Sequence, residues 1–249
     1  MTKHFAKKMR YKAIFIDIDD TLLDYVPCCR EAFDCAMEAL DKAYAIQRTD
    51  RMTQDQLFDL FFDISGRLFS EAKRGLHTVA EVMELYPAEF IERAGYPASA
   101  VEPFKHAFRA AWGETHALVD GAQDMLSDLR NKGYRLFAAS NSFGHLQRRR
   151  MERAGLLPYF EDMFISMDIG YDKPDGRFYQ EALRRADLLP CDVLMVGDSM
   201  TTDIVGAQQA GLATCWFNRR NEQNDKARPD YTIAELVQLT DMLPHLNTK

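Results

Sequence analysis

No run of this chain stays apolar for anything near the roughly 20 residues that a membrane-crossing helix needs. The amino terminus, MTKHFAKKMRYK, is basic but lacks the apolar core of a secretory signal. It reads as a solvated tail leading into a strand, with the cytoplasm as the expected location. Cysteine is sparse: Cys28, Cys29, Cys35, Cys191 and Cys215 make an odd count with no CxxC spacing. That pattern argues against a disulfide framework and leaves reduced structural thiols as the expectation. The six histidines are scattered, so a zinc site is not expected. Positive charge is also in deficit, with 31 Lys and Arg against 38 Asp and Glu and a formal net charge of −7. Nucleic-acid polymers call for a basic face, and none is offered. The one basic concentration, Arg148-Arg149-Arg150, lies in a helical stretch over 144–154 and reads as a solvated face. Repeats and low-complexity segments are missing as well.

The 249 residues, 47% hydrophobic and 28% charged, suit a soluble globular protein with a substantial core. Strand and helix alternate along most of the chain. The patterns predict strands at 12–16, 134–139, 163–166, 193–197 and 213–217. Helices are expected near 121–131, 144–154, 175–186, 202–210 and 232–243. Asp120 suits the cap of the first of these, Gly133 its end, and Gly211 the stop of the helix over 202–210. Such alternation implies a parallel sheet covered by helices on both faces. Residues 24–117 break the pattern. Phe33, Met37, Leu40 and Tyr44 recur at helical spacing, as do Leu57, Phe61, Ile64 and Leu68. Further helices are expected near 79–94, interrupted by Pro87, and 101–113, where Phe104, Phe108 and Trp112 share a face. These stripes are packing surfaces, and a helical bundle inserted after the first strand buries them most simply.

Polar chemistry collects where the apolar runs end. Ala13-Ile14-Phe15-Ile16 runs into Asp17-Ile18-Asp19-Asp20-Thr21, Leu136–Ala139 into Ser140-Asn141, and Val193–Val196 into Gly197-Asp198, with Asp203 five residues on. Lys173-Pro174 follows the short run Phe164-Ile165-Ser166 and its loop. Asp and Thr are ordinary turn and cap residues after a strand. Ligands, however, bind at the carboxyl edge of open parallel sheets. Two carboxylates at i and i+2 there can face one pocket, where they repel unless a cation or a shared proton intervenes. That arrangement suits a nucleophile, a general acid and a divalent metal.

DxDxT, a hydroxyl before Asn, Lys-Pro and GDxxxxD, in this order and each after a strand, resemble the motifs of the haloacid dehalogenase-like (HAD) superfamily of aspartate-nucleophile phosphohydrolases. The resemblance spans Asp17 to about Asn218. It implies an α/β fold with a Rossmann-like parallel core, residues 1–23 and 118–249, and a mobile helical cap, residues 24–117. It also implies a Mg²⁺-dependent phosphatase acting on small-molecule phosphate monoesters through an aspartyl phosphate. Asp17 would be the nucleophile and Asp19 the general acid and base. The metal would be held by the Asp17 carboxylate, the Asp19 backbone carbonyl and Asp198. Ser140, Asn141 and Lys173 would bind the phosphoryl group, and Asp203 would stand one layer out, orienting a water or Lys173. Asp198-Ser-Met-Thr-Thr-Asp203, Gly211–Asn218, and Ser142-Phe143 with Leu146-Gln147 look like the pyrimidine 5′-nucleotidase branch, which suggests nucleoside 5′-monophosphates. Ser142 stands where the nearest relatives have Gly, a change in the leaving-group pocket. Asp19 argues against dehalogenation, which has no alkoxide to protonate. Sugar-phosphate hydrolysis and a β-phosphoglucomutase-type reaction are the alternatives, although the mutase motif has Gly at the position of Asp20. A non-catalytic phospho-receiver would be about half this length and would lack the insertion.

Overall fold

Every residue of strand β1 (Ala13–Ile16) is buried, because alternate side chains enter two different cores. Ile14 and Ile16 join Leu126, Leu136 and Leu194 on one face. Ala13 and Phe15 join Phe137, Phe178 and Met195 on the other. A strand covered on both faces therefore reads as an unbroken apolar run. The structure is a computed structural model and describes residues 11–44 and 52–246, so the basic tail before Tyr11 lies outside the described residues.

Four helices follow β1 before the next strand: α1 (Tyr25–Tyr44), α2 (Gln54–Lys73), α3 (Val79–Arg93) and α4 (Val101–Trp112). Thr53 and Thr78 start α2 and α3 with capping boxes closed by Gln56 and Glu81. Pro87 does not interrupt α3 but sits buried inside it, where its missing N–H costs one intrahelical bond. These helices share an apolar cluster of their own, dense in Phe33, Phe58, Phe61, Phe90 and Phe104, into which Leu146 also reaches. Cys28 and Cys29 are buried there, Cys215 is buried in the sheet, and Cys35 and Cys191 are exposed. The chain enters and leaves the helical segment side by side: the Asp24 N–H donates to the Ala117 carbonyl at 2.8 Å, and the Val119 N–H to the Leu22 carbonyl at 3.0 Å.

The remaining elements are α5 (Ala122–Asn131), β2 (Arg135–Ser140), α6 (Gly144–Arg153), β3 (Asp162–Ile165), α7 (Ser166–Ile169), α8 (Gly176–Ala186), β4 (Val193–Gly197), α9 (Gly206–Gln209), β5 (Ala213–Phe217), β6 (Tyr231–Ile233) and α10 (Val237–Met242). Among the described residues the six strands form one sheet in the order β3-β2-β1-β4-β5-β6, with every neighbouring pair parallel. The chain works outward from β1 on one side and then returns to its other side. Ile16 pairs with Ala138 on β2 and Val196 on β4, so Asp17, Ser140 and Asp198 emerge at one edge of this switch point.

Three local expectations are corrected. Gly121, at φ 77°, precedes α5 with no side-chain cap, so Asp120 does not cap it. The helix expected over 202–210 opens as a wide π turn, Met200–Val205, before tightening into α9. The helix expected over 232–243 is divided, because Tyr231-Thr232-Ile233 instead pairs with the edge of β5, opposite Cys215, Trp216 and Phe217. Aromatic and β-branched residues fit that half-buried ladder better than a helix turn. No helix among the described residues is long and apolar enough to cross a membrane.

Candidate active site

Asp17 continues the parity of Ala13 and Phe15, so its side chain leaves β1 on the α8 side of the sheet, where it is buried. The Lys173 ammonium meets it there. Its three protons go to Asp17 Oδ1, Asp203 Oδ1 and the Ala139 carbonyl, each at 2.7 Å. Burial works against the Lys173 charge, yet Asp17 and Asp203 outweigh it and hold its pKa above the usual lysine value. Asn141 places the lysine: its side chain accepts from the Lys173 backbone N–H and donates to the Lys173 carbonyl, both at 2.8 Å. The expected phosphoryl donor is therefore already engaged in fixing its neighbour.

Asp203 is fixed on both oxygens, Oδ1 by Lys173 and Oδ2 by the Ser199 N–H at 3.0 Å. It also crowds Gly197, where an added Cβ would stand 2.3 Å from Asp203 Oδ2. Gly197→Ala is therefore expected to displace Asp203 and lower the melting temperature, overpacking of this kind costing about 1–3 kcal/mol. An unchanged melting curve would contradict that reading.

Asp17, Asp198 and Asp203 offer carboxylate oxygens that all lie within 4.8 Å of one another. Were all three carboxylates ionised, the one ammonium would leave two negative charges uncompensated. Burial raises Asp17 well above the ordinary carboxylate range. Lys173 opposes the rise, while Asp203 and Asp198 add to it. Burial likewise pushes Asp198 up to about 7, with Asp203 and Asp20 contributing. Among the described residues no donor hydrogen-bonds the Asp198 carboxylate; only its backbone carbonyl is engaged, by Trp216 Nε1 at 2.8 Å. A hard-oxygen cluster with Asp17 and Asp203 buried, Asp198 half-buried and a single cation among them fits a divalent ion such as magnesium.

Asp19 stands apart from this cluster. Its Oδ1 accepts from Arg150 Nη1 and its Oδ2 from Gln147 Nε2, both at 2.6 Å. Gln147 Nε2 also donates to Ser140 Oγ at 3.0 Å. Arg150 is wholly buried, which corrects the solvated-face reading of the 148–150 run. Successive helix positions turn by about 100°, so three arginines in a row cannot all face outward. Asp20, in the left-handed region at φ 62°, accepts from Arg219, Arg220 and the Tyr25 N–H, which braces the start of the helical segment. Neither arginine pairing follows a motif spacing, and only the tertiary fold brings these groups together. A cavity of about 1170 Å³ opens above Asp17, Asp19 and Asp198, walled on the far side by Phe62, Phe69, Lys73 and Trp112.

Carboxylates and a lysine gathered at the switch point of a parallel sheet mark a ligand-binding protein of the open α/β kind with a carboxylate at its centre. The chain belongs to the haloacid dehalogenase-like hydrolases, whose family model matches residues 11–211. It is 31% identical over 241 residues to YfnB of Bacillus subtilis (strain 168), assigned to the HAD hydrolases, covering 96% of this chain and 98% of that one. The similarity extends to two proteins named pyrimidine 5′-nucleotidases. YjjG of Escherichia coli (strain K12) is 30% identical, covering 94% of this chain and 99% of YjjG. PynA of Streptococcus pneumoniae is 29% identical, covering 94% and 96%. A crystal structure of YfnB, described as bound to magnesium and as revealing interdomain movement, superposes with a TM-score of 0.80 over 94% of this chain and 98% of that one.

Proposed function

We propose that this protein is a magnesium-dependent phosphatase that hydrolyses nucleoside 5′-monophosphates, pyrimidine ones by preference, through an aspartyl-phosphate intermediate. The observation that carries this reading is the buried Asp17 carboxylate, flanked by Lys173, Asp198 and Asp203 and open to a cavity that Asp19 also faces. In the first step an Asp17 oxygen bonds to phosphorus and the bond from phosphorus to the ester oxygen breaks. The Asp19 carboxyl gives its proton to that departing oxygen. In the second step Asp19 takes a proton from a water whose oxygen bonds to phosphorus. The phosphorus–Asp17 bond breaks, and inorganic phosphate and a free Asp17 result. Splitting one displacement into two in this way eases a very slow reaction. Lys173, bonded to Asp17 Oδ1, would offset the charge that returns to that carboxylate as the phosphorus–Asp17 bond breaks, and Ser140 would donate to the transferred group. Magnesium held by the Asp17 carboxylate, the Asp19 backbone carbonyl and Asp198 would offset the two remaining negative charges and polarise a phosphoryl oxygen.

Residues 24–117 serve in this reading as a cap that closes over the phosphoryl group and admits one controlled water. Support comes from the separate aromatic cluster and from the paired chain crossings at Asp24–Ala117 and Leu22–Val119. The aromatic wall of Phe62, Phe69 and Trp112 suits a flat base more than a bare sugar. The test is a screen of nucleoside monophosphates, sugar phosphates and two-carbon phosphates. Turnover is expected to favour pyrimidine 5′-monophosphates, to vanish with chelator and to return with Mg²⁺. Full activity in metal-free buffer would contradict the metal assignment, and a preference for sugar phosphates would move the substrate class to the alternative.

A further inference from the structure

Arg150 is an arginine placed where an apolar side chain would ordinarily sit. It is 0% exposed, near the end of α6, and Asp19 is its one carboxylate partner among the described residues. A purely packing role is poorly served by a buried charge, since well-packed apolar residues of similar volume are often as stabilising as a buried ion pair. The surroundings of the guanidinium are specific. Nη1 donates to Asp19 Oδ1 at 2.6 Å and to Gln147 Oε1 at 2.8 Å. Nε donates to the Thr115 carbonyl at 3.3 Å, and the plane lies over the Trp112 ring at 3.9 Å. Trp112 ends α4 and Thr115 belongs to the segment by which the chain leaves the helical insertion. Arg150 thus touches the exit of the insertion with one side of its fork and Asp19 with the other.

Gln147, one turn earlier on the same helix, completes the arrangement. Its Oε1 accepts from Arg150, and its Nε2 donates to Asp19 Oδ2 and Ser140 Oγ. Both oxygens of Asp19 are therefore claimed by α6, in one fixed orientation. A group that must give a proton to one oxygen and later take one from a water depends on that orientation, because a displacement of about 1 Å can cost roughly 10²-fold in rate.

We propose that Arg150 is a positioning residue for acid–base catalysis, holding the Asp19 carboxylate in place and tying it to the 112–115 segment of the insertion. The inference rests on the phosphatase reading above and names a residue that no motif spacing supplies. Among the described residues Arg150 makes no hydrogen bond or ion pair to Asp17. Its effect passes through Asp19 and follows the proton transfers, sparing the attack of Asp17.

The experiment uses the full chain with Mg²⁺ and two esters, a pyrimidine nucleoside 5′-monophosphate and p-nitrophenyl phosphate. The second leaves as a stabilised phenolate and needs little protonation. Arg150→Met is expected to lower kcat on the nucleotide about 10²-fold, the scale of a lost general acid. Release of p-nitrophenolate in the first turnover is expected to stay close to wild type. Phosphoenzyme should then accumulate toward stoichiometry, because the second step needs Asp19 as base. In an Asp19→Asn background Arg150→Met should add no further loss. Arg150→Lys, which keeps the charge, should recover part of the nucleotide rate. Gln147→Leu should show the same pattern more weakly, and it carries the test should Arg150→Met not fold. Equal losses on both esters without phosphoenzyme accumulation, or unchanged rates in the Arg150 and Gln147 variants, would overturn the proposal. Wild-type protein that forms no phosphoenzyme would instead remove the phosphatase reading, and this inference with it.

Discussion

Asp17→Asn is expected to abolish turnover and phosphoenzyme formation while leaving a folded protein that melts no lower than wild type. Loss of activity follows from the amide, which is no nucleophile toward phosphorus. The stability half is less obvious, because Asp17 accepts from Lys173 at 2.7 Å and a lost ion pair usually weakens a protein. Here the balance runs the other way. Burial, together with Asp203 and Asp198, raises Asp17 well above the ordinary carboxylate range despite Lys173. A carboxylate whose folded pKa exceeds its unfolded value costs stability once the pH passes the unfolded value, and the cost grows until the folded pKa is reached. The neutral amide escapes that cost, and Lys173 keeps Asp203 and the Ala139 carbonyl as partners. In metal-free buffer the melting temperature of Asp17→Asn relative to wild type should therefore rise as the pH climbs above the ordinary carboxylate range. Rapid-quench assays and thermal melts check the two halves separately. Residual turnover with a trapped phosphoenzyme would mean that a group other than Asp17 attacks phosphorus.

The residues at the sheet edge were readable because strand chemistry is local. An apolar run of four or five residues that stops at a carboxylate or a Ser-Asn pair announces both the strand and the loop beyond it. The parallel register then brings Asp17, Ser140 and Asp198 together without further information. Arg150 and Gln147 were not readable in the same way. Their partners Asp19, Trp112 and Thr115 are 35 to 131 positions away, and only the packing of α6 against the segment after α4 unites them. Within the chain alone, Arg150 is one of three adjacent arginines on a polar helix. Asp20 shows the same limit, since its left-handed backbone and two arginine partners from the 218–222 loop have no local signature. The carboxyl-terminal region misled for a different reason. Tyr231-Thr232-Ile233 carries too few residues for its period to outweigh the helical pattern after it, and the available edge of β5 decides its conformation.

Lys173→Met is expected to be the most destabilising single change at the site, and its damage should depend on pH. The ammonium is buried and makes three 2.7 Å hydrogen bonds, two of them to the buried carboxylates Asp17 and Asp203. Its pKa is raised despite burial, so its charge stabilises the fold throughout the neutral range and is lost at every such pH on substitution. Methionine fills much of the same volume and adds no cavity of consequence. It leaves carboxylates facing one another without a cation, and removing one partner of a buried pair costs about 3–5 kcal/mol. For a chain of this size that corresponds to a fall of roughly 6–20 °C in melting temperature. Lowering the pH should recover part of the loss, because burial already raises Asp17 and losing the ammonium removes the group that opposes the rise. Mg²⁺ should recover part of it near neutral pH by supplying positive charge to the same cluster. Phosphate-ester turnover should fall by roughly 10²–10³, the scale of a lost electrostatic stabiliser. Thermal melts across pH, with and without Mg²⁺, read all of this on one variant. A melting temperature equal to wild type near pH 8 without metal would mean that the carboxylates share protons among themselves, and that Lys173 is not what holds their charges together.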